Sequence, residues 1–270
     1  KKFSVNLTDR SRIDYSVSWE AAKLPILQTE AYMEISDKRY YETETDWIEE
    51  CWEGAGKVPF RWLYMQKLRK DMKNTQYWTC RYRADKEQVF KYTSILFHNI
   101  GFPIMLDEKK VLLFHCSFIR KGRAGILFSG PSGMGKSTQA RLWEKYENAE
   151  VLNGDRAAIR KSEGRWKAFG LPYAGSSDIF KNESARVGAV IVLRQSKGNQ
   201  VEKLSPGKAY CAVWSELFQS NASSILQRTV AETAEQFIRE VPVYQLSCQP
   251  NKEAVECLKN FLTEEGVLWT

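Results

Sequence analysis

At 270 residues, 43% of them apolar and 13% aromatic, the chain can bury a sizeable core as one large domain or two small ones, which excludes global disorder. Its net charge of +7 suits anionic partners in general, but the basic residues are dispersed outside RWLYMQKLRKDMK and no nucleic-acid motif accompanies them. The longest apolar stretch, near Val111–Ile119, is far too short to cross a bilayer, and the opening KKFSVNLTDRSR lacks the apolar segment of a signal peptide, so a cytoplasmic protein with no membrane partner is expected.

The first hundred residues carry weak signals. Phe3–Leu7 alternates like a strand, as does Tyr77–Tyr82 (YWTCRY). Trp47–Trp52 and Phe60–Met72 show apolar residues at helix-like spacing. Asp85 is placed to cap a helix running to about Phe97, with Val89, Thr93, Leu96 and Phe97 on one face. This reads as an α+β region, residues 1–100, that packs on and supports the rest of the chain. The six cysteines, at 51, 80, 116, 211, 248 and 257, have no zinc-site spacing and are expected as reduced thiols, mostly in the core.

From Gly101 the pattern sharpens into a second region, 101–270. Val111–Ile119 is a strand, RKGR (Arg120–Arg123) a tight turn, and Ala124–Ser129 the second strand of a hairpin. GPSGMGKST comes next, then a helix to about Tyr146. Val151–Asn153 is a short strand ending at Gly154-Asp155. Ala157–Arg160 and Arg165–Phe169 form another hairpin, and Val187–Arg194 is a buried strand. Pro206–Phe218 and Glu232–Arg239 read as helices, Val243–Ser247 as a strand, and Asn251–Leu262 as a closing helix capped by Asn251.

The segment GPSGMGKS, Gly130 to Ser137, matches G-x-x-x-x-G-K-[ST] completely, with a strand before it and a helix after it. Its glycines allow positive φ and close approach of backbone to ligand. Successive N–H groups then converge on phosphate oxygens at a helix N-terminus. Lys136 reaches β- and γ-phosphates and the Ser137 hydroxyl ligates Mg²⁺ in such a loop. Gly130, Pro131, Ser132, Gly133, Met134, Gly135, Lys136, Ser137 and Thr138 are therefore the expected residues for ATP or another nucleoside triphosphate.

The surroundings of the loop are not those of a doubly wound kinase. The first acid at a strand end downstream is Asp155, without an intervening βαβ unit, and hairpins flank both it and the loop strand. A mixed, largely antiparallel sheet is expected. That combination resembles the HPr kinase/phosphorylase and ATP-dependent phosphoenolpyruvate carboxykinase group. LLFHCSFIRKGRAGILFSGPSGMGKSTQARLW is similar to its histidine-bearing strand, turn, strand, loop and helix, and VLNGDRAAIR to its acidic strand. GLPYAGSSDIFKNESARVGAVIVLRQ is similar to the segment after its acidic hairpin. VPVYQLSCQPNKEAVECL is similar to the closing strand and helix of small bacterial HPr-kinase-like proteins. The resemblance covers roughly residues 101–265 and implies an α/β fold, an ATP-dependent kinase and Mg²⁺.

Asp155 is expected to hold Mg²⁺ with Ser137, or to take the proton from an acceptor hydroxyl. Relatives often carry two adjacent acids where this chain has Gly154-Asp155. Either Asp155 serves both tasks, or Glu183 or Asp178 in the polar stretch GSSDIFKNES (with Ser176, Ser177 and Asn182) supplies the second. His115 lies on the strand pairing with the loop strand, where the resemblance puts a histidine near the phosphates; a buried structural histidine is the plain alternative. Lys181, Arg186 and Arg194 are either phosphate-neutralising or surface charges. The expected acceptor is a hydroxyl, chiefly serine of a peptide or protein. The rival readings are a small-molecule kinase and a nucleotide-binding protein without phosphotransfer. An oligomer is compatible with the sequence.

Overall fold

The computed structural model describes residues 15–268 except 32, 36, 43–46, 54–59, 69–75, 92–96, 98–101, 176 and 219–222. It divides into two compact units: Lys1–Phe3 and Leu106–Gln219 with Thr229–Thr270, and Ser4–Met105 with Ser220–Arg228. The strand expected at Phe3–Leu7 lies outside the described residues.

The unit nearer the N-terminus is a six-stranded sheet. Its strands are β1 (Tyr15–Ala21), β2 (Met33–Ile35), β3 (Lys38–Glu42), β4 (Trp47–Glu53), β5 (Phe60–Leu68) and β6 (Gln76–Tyr82), in the order β1-β6-β5-β4-β3-β2. Only the β1–β6 pair is parallel. The helices expected at Trp47–Trp52 and from Phe60 are thus strands. The reason is burial on both faces: Ile48, Glu49, Glu50 and Cys51 are consecutive and all buried, so the period of two that marks a half-exposed strand is erased. The two buried acids have partners. Glu49 takes the ammonium of Lys38, and Glu50 accepts from the Tyr41 hydroxyl at 2.9 Å. After β6 the chain makes a 3-10 helix, Ala84–Lys91, within the span of the helix expected from Asp85 to Phe97. Asp85 there accepts two hydrogen bonds from the Arg83 guanidinium, at 3.0 and 3.1 Å. Thr93 and Leu96 of the expected apolar face lie outside the described residues.

A short helix, α1 (Phe102–Glu108), leads to β7 (Leu112–Lys121), β8 (Ala124–Ser129), α2 (Lys136–Glu147), β9 (Glu150–Asn153), β10 (Arg156–Ser162) and β11 (Arg165–Gly170). Then come β12 (Ser184–Gln195), β13 (Gln200–Lys203), α3 (Pro206–Trp214), β14 (Leu217–Phe218), α4 (Ser224–Glu240), β15 (Val243–Cys248) and α5 (Lys252–Glu264). The helix expected over Pro206–Phe218 ends at Trp214, because Leu217 and Phe218 pair with Phe114 and Leu113 of β7 instead. The closing helix is capped by Asn251 as expected, its side chain accepting from Ala254 N–H at 3.0 Å.

The nine-stranded sheet runs β11-β10-β7-β8-β12-β15-β13, with β9 and β14 also paired to β7. Its β8–β12 and β12–β15 pairs are parallel and the rest antiparallel, so the sheet is mixed. The start of β12 also pairs β11, closing five strands on themselves. Two cores flank the sheet. Phe114, Cys116, Phe118 and Leu127 pack on Trp166 and Phe237; Ile119, Ile126 and Phe128 pack on Trp143 of α2 and Leu258 of α5. By alternation, His115 and Ser117 share the α2 side of β7 with Ile119.

Candidate active site

Four chain segments converge at His115 and Cys116 of β7. On one edge, β9 and β10 form a single run along β7 that breaks at Gly154-Asp155. There the Cys116 N–H donates to the Asp155 carbonyl at 3.0 Å. On the other edge, β8 ends with Ser129 opposite Cys116, and the glycine loop begins at the next residue. Beyond β8, the segment after α3 takes over that edge, with the His115 N–H donating to the Glu216 carbonyl at 2.9 Å. The sheet topology thus brings the loop, Asp155, His115 and Glu216 to one place.

The loop itself needs its glycines for backbone conformation. Gly130, Gly133 and Gly135 have φ of 136°, 78° and 100°, in the region that side chains disfavour. At Gly133 and Gly135 a Cβ would meet nothing, so torsion and not space is the constraint. Pro131, Ser132 and Gly133 are exposed, Met134 leans on the α2-side core, and Thr138 is exposed on the first turn of α2. Lys136 opens that helix and folds back across the loop. Its ammonium donates to the carbonyls of Gly130 at 2.6 Å and Pro131 at 3.2 Å, and the residue is only 8% exposed. Burial lowers its pKa from the usual lysine value, against the opposing pull of the Glu216 and Asp155 carboxylates. Ser137 comes within 3.4 Å of the Gly154 carbonyl and 3.5 Å of Ser117 Oγ, which itself donates to Gly154 at 3.1 Å.

Asp155 is held by local backbone chemistry. Asn153, fully buried, accepts from the N–H groups of Asp155 and Arg156 at 2.9 Å each and donates to the Tyr173 carbonyl at 2.9 Å. The Asp155 carboxylate lies 3.1 Å from Arg156 Nε and 3.8 Å from His115 Nε2. The arginine contact is one of charge: Nε points its hydrogen at no aligned acceptor among the described residues, while the guanidinium lies 4.0 Å over the Phe218 ring. His115 Nδ1 meets Glu216 Oε2 at 2.8 Å, and that carboxylate is 9% exposed. Cys116 faces the opposite core, where burial pushes its thiol well up, so it offers no nucleophile.

Of the two expected second acids, Glu183 lies elsewhere. Glu183 pairs with Arg120 at 3.2 Å, in a network with Glu150 and Lys181. Arg120 lies five residues past His115 on β7, about 16 Å along the strand. Asp178 is exposed, with φ of 51°. Ser177 does border the site, beside Gly154, whereas Ser176 lies outside the described residues. Lys181 belongs to the Glu150 network and not to the loop. Glu216 went unanticipated. The signal available was a carboxylate two residues past the helix in WSELF, which reads as a last helical turn until Leu217 and Phe218 are seen on β7.

No helix among the described residues is long and apolar enough to cross a membrane. No curated protein matches the chain. Among solved structures, the HPr(Ser) kinase/phosphatase from Coxiella burnetii aligns at 12% identity over 57% of this chain and 93% of its own, with a TM-score of 0.33, a distant likeness of fold. The family model described as SynChlorMet cassette protein ScmC matches residues 79–257, more than half of the chain, and the chain belongs to that family.

Proposed function

We propose that the chain binds ATP or another nucleoside triphosphate with Mg²⁺ at the loop Gly130–Ser137 and transfers the γ-phosphate to a hydroxyl, serine of a peptide or protein being the favoured acceptor. The observation that carries this reading is the convergence of Lys136, Ser137, Asp155 and His115 where β8 meets the glycine loop. Phosphoryl transfer asks little covalent chemistry of a protein. It asks for donors that hold phosphate, charge that offsets the transition state, and a group that takes the acceptor's proton. The loop amides and Lys136 meet the first two needs, and the carboxylate and imidazole the third.

The donor set also suits magnesium. Ser137 Oγ and the Asp155 carboxylate are two oxygen ligands, the kind of set used when the ion is held chiefly by phosphates and water. Bound there, Mg²⁺ would neutralise charge on the β- and γ-phosphate oxygens. The chain's own residues do the rest: Asn153 fixes the Asp155 backbone, and Arg156 adds positive charge beside its carboxylate.

Thermal unfolding with ATP and Mg²⁺ tests the reading. Ligand at about 100 times its Kd adds roughly 2.7 kcal/mol, and Lys136→Ala removes most of that gain. Equal stabilisation of the variant would sink the assignment. A second reading, nucleotide binding without transfer, is favoured by one observation: Gly154 leaves Asp155 as the only acid at this strand end. Turnover of ATP in the wild type separates the two.

A further inference from the structure

We propose that Glu216 is a positioning residue for His115, holding its imidazole so that Nε2 is the proton acceptor for the entering hydroxyl. The inference rests on the phosphotransfer reading and names the group that does the work a second acid beside Asp155 would otherwise do.

Residue 216 is fixed to residue 115 twice. Its carbonyl accepts the His115 N–H at 2.9 Å, and its carboxylate meets His115 Nδ1 at 2.8 Å. The backbone is held, because α3 ends two residues earlier, with the Glu216 N–H donating to the Val213 carbonyl at 3.1 Å, and the next two residues are registered on β7. Opposed residues on neighbouring strands present their side chains on the same face, so the pairing of the carboxylate with the ring is a consequence of the register. An ionised carboxylate only accepts hydrogen bonds. A ring with a single hydrogen therefore carries it on Nδ1 and keeps its lone pair on Nε2.

Nε2 faces the reacting region. It is 3.8 Å from Asp155 Oδ1, too far for a direct hydrogen bond. An oxygen about 2.8 Å from each atom fits that separation. The Phe218 ring stands edge-on to the imidazole, with 5.9 Å between ring centres. Lys136 feels the charge of both Glu216 and Asp155, which places the phosphate-holding ammonium in the same cluster. In the step, the acceptor's O–H bond breaks as its oxygen bonds the γ-phosphorus, and the proton passes to Nε2. The bond from the γ-phosphorus to the β–γ bridging oxygen breaks, its electron pair leaving on the nucleoside diphosphate. The imidazolium so formed keeps its Nδ1 hydrogen bond to the Glu216 carboxylate, which stabilises it.

The chain holds two histidines, His98 and His115, so imidazole nitrogen resonances are assignable by one His115→Asn control. The test compares full-length wild type with Glu216→Gln, an isosteric change, by nitrogen NMR of the rings and by turnover of ATP with Mg²⁺, water serving as acceptor. Expected are a wild-type His115 protonated on Nδ1 when neutral, a shift towards the Nε2–H tautomer in the variant, and turnover lower by about 10²-fold with the ATP-induced thermal shift retained. A wild-type ring protonated on Nε2 overturns the proposal, as does a variant with unchanged tautomer, whatever its rate. A wild type that ATP stabilises but that transfers phosphate neither to water nor to serine-containing peptides removes the base role from His115 and leaves nucleotide binding standing. A wild type that ATP does not stabilise removes the phosphotransfer reading and this proposal with it.

Discussion

Gly154 and Ser177 are in such close contact that a Cβ on residue 154 would lie 2.1 Å from the Ser177 hydroxyl oxygen and 2.5 Å from its Cβ. The position where a second acid would sit is therefore closed to any side chain while Ser177 keeps its place. Unlike the loop glycines, Gly154 is constrained by space and not by torsion. Gly154→Ala is expected to cost about 1–3 kcal/mol, the usual penalty of overpacking. Ser177→Gly, which by itself loses the 3.4 Å hydrogen bond from the Ile179 N–H and costs a little stability, should recover part of that loss, and a double-mutant cycle on thermal or denaturant unfolding reads the coupling directly. Additive effects would show that the two residues do not compete for the same space.

The range of the interactions decided which parts of this site were legible in the sequence. Strand, turn, strand, glycine loop and helix are consecutive from Leu112 to Glu147, and each carries a local signature, so the loop and its mixed surroundings could be read. β4 could not, because Trp47, Ile48, Cys51 and Trp52 fall at helical spacing while the residues between them are buried acids with partners across the sheet. Glu216 was hidden for a different reason: its partner His115 is 101 residues away, and nothing local ends α3 before the strand pairing does. Glu183 looked like a site residue from its polar neighbourhood, but the chain from 179 to 181 runs back along β9, and carries it to Arg120.

Gly175 stands against the Asp155 carboxylate in the same way. A Cβ there would lie 2.9 Å from Asp155 Cγ and Oδ1 and 3.3 Å from Oδ2. The carboxylate is the free end of its side chain and can give way, so Gly175→Ala should fold nearly as well as the wild type. Under the proposed phosphotransfer the cost appears in function: displacing the carboxylate by a fraction of an ångström is expected to lower turnover by about tenfold. A large loss of stability with unchanged turnover per folded molecule would contradict the contact's role.

The Glu150 network gives a pH dependence. Hydrogen bonds from Lys181, at 2.9 Å, and from Arg120 hold the Glu150 carboxyl below the usual value of 4.5. A carboxyl whose pKa is lower folded than unfolded adds stability above the unfolded pKa and loses it as pH falls through the folded one. The melting temperatures of wild type and Glu150→Gln should therefore differ at pH 7 and converge as pH falls below 4.5 and through the lowered folded pKa. Because these side chains are partly exposed, the difference should be small and should shrink in high salt. A difference that grows on acidification would reverse the assigned sign.

Asp155 separates binding from chemistry. The groups proposed to hold phosphate, Lys136 and the loop backbone, make no direct hydrogen bond to its carboxylate, whereas Arg156 Nε at 3.1 Å and His115 Nε2 at 3.8 Å lie beside it. Asp155→Asn preserves shape and the backbone contacts of Asn153 but removes the charge. The Arg156 guanidinium, held over Phe218 at 4.0 Å, then loses its nearest counter-charge, so some baseline stability is lost. Ligand effects must for that reason be read as shifts within each variant. ATP alone should still raise the melting temperature of Asp155→Asn, because the loop is intact. The additional shift given by Mg²⁺ should shrink, and turnover should fall by about 10²-fold or more. Lys136→Ala shows the opposite division, losing the ATP shift itself. If Asp155→Asn kept both the magnesium-dependent shift and full turnover, the carboxylate would have neither task and its place beside His115 would be structural.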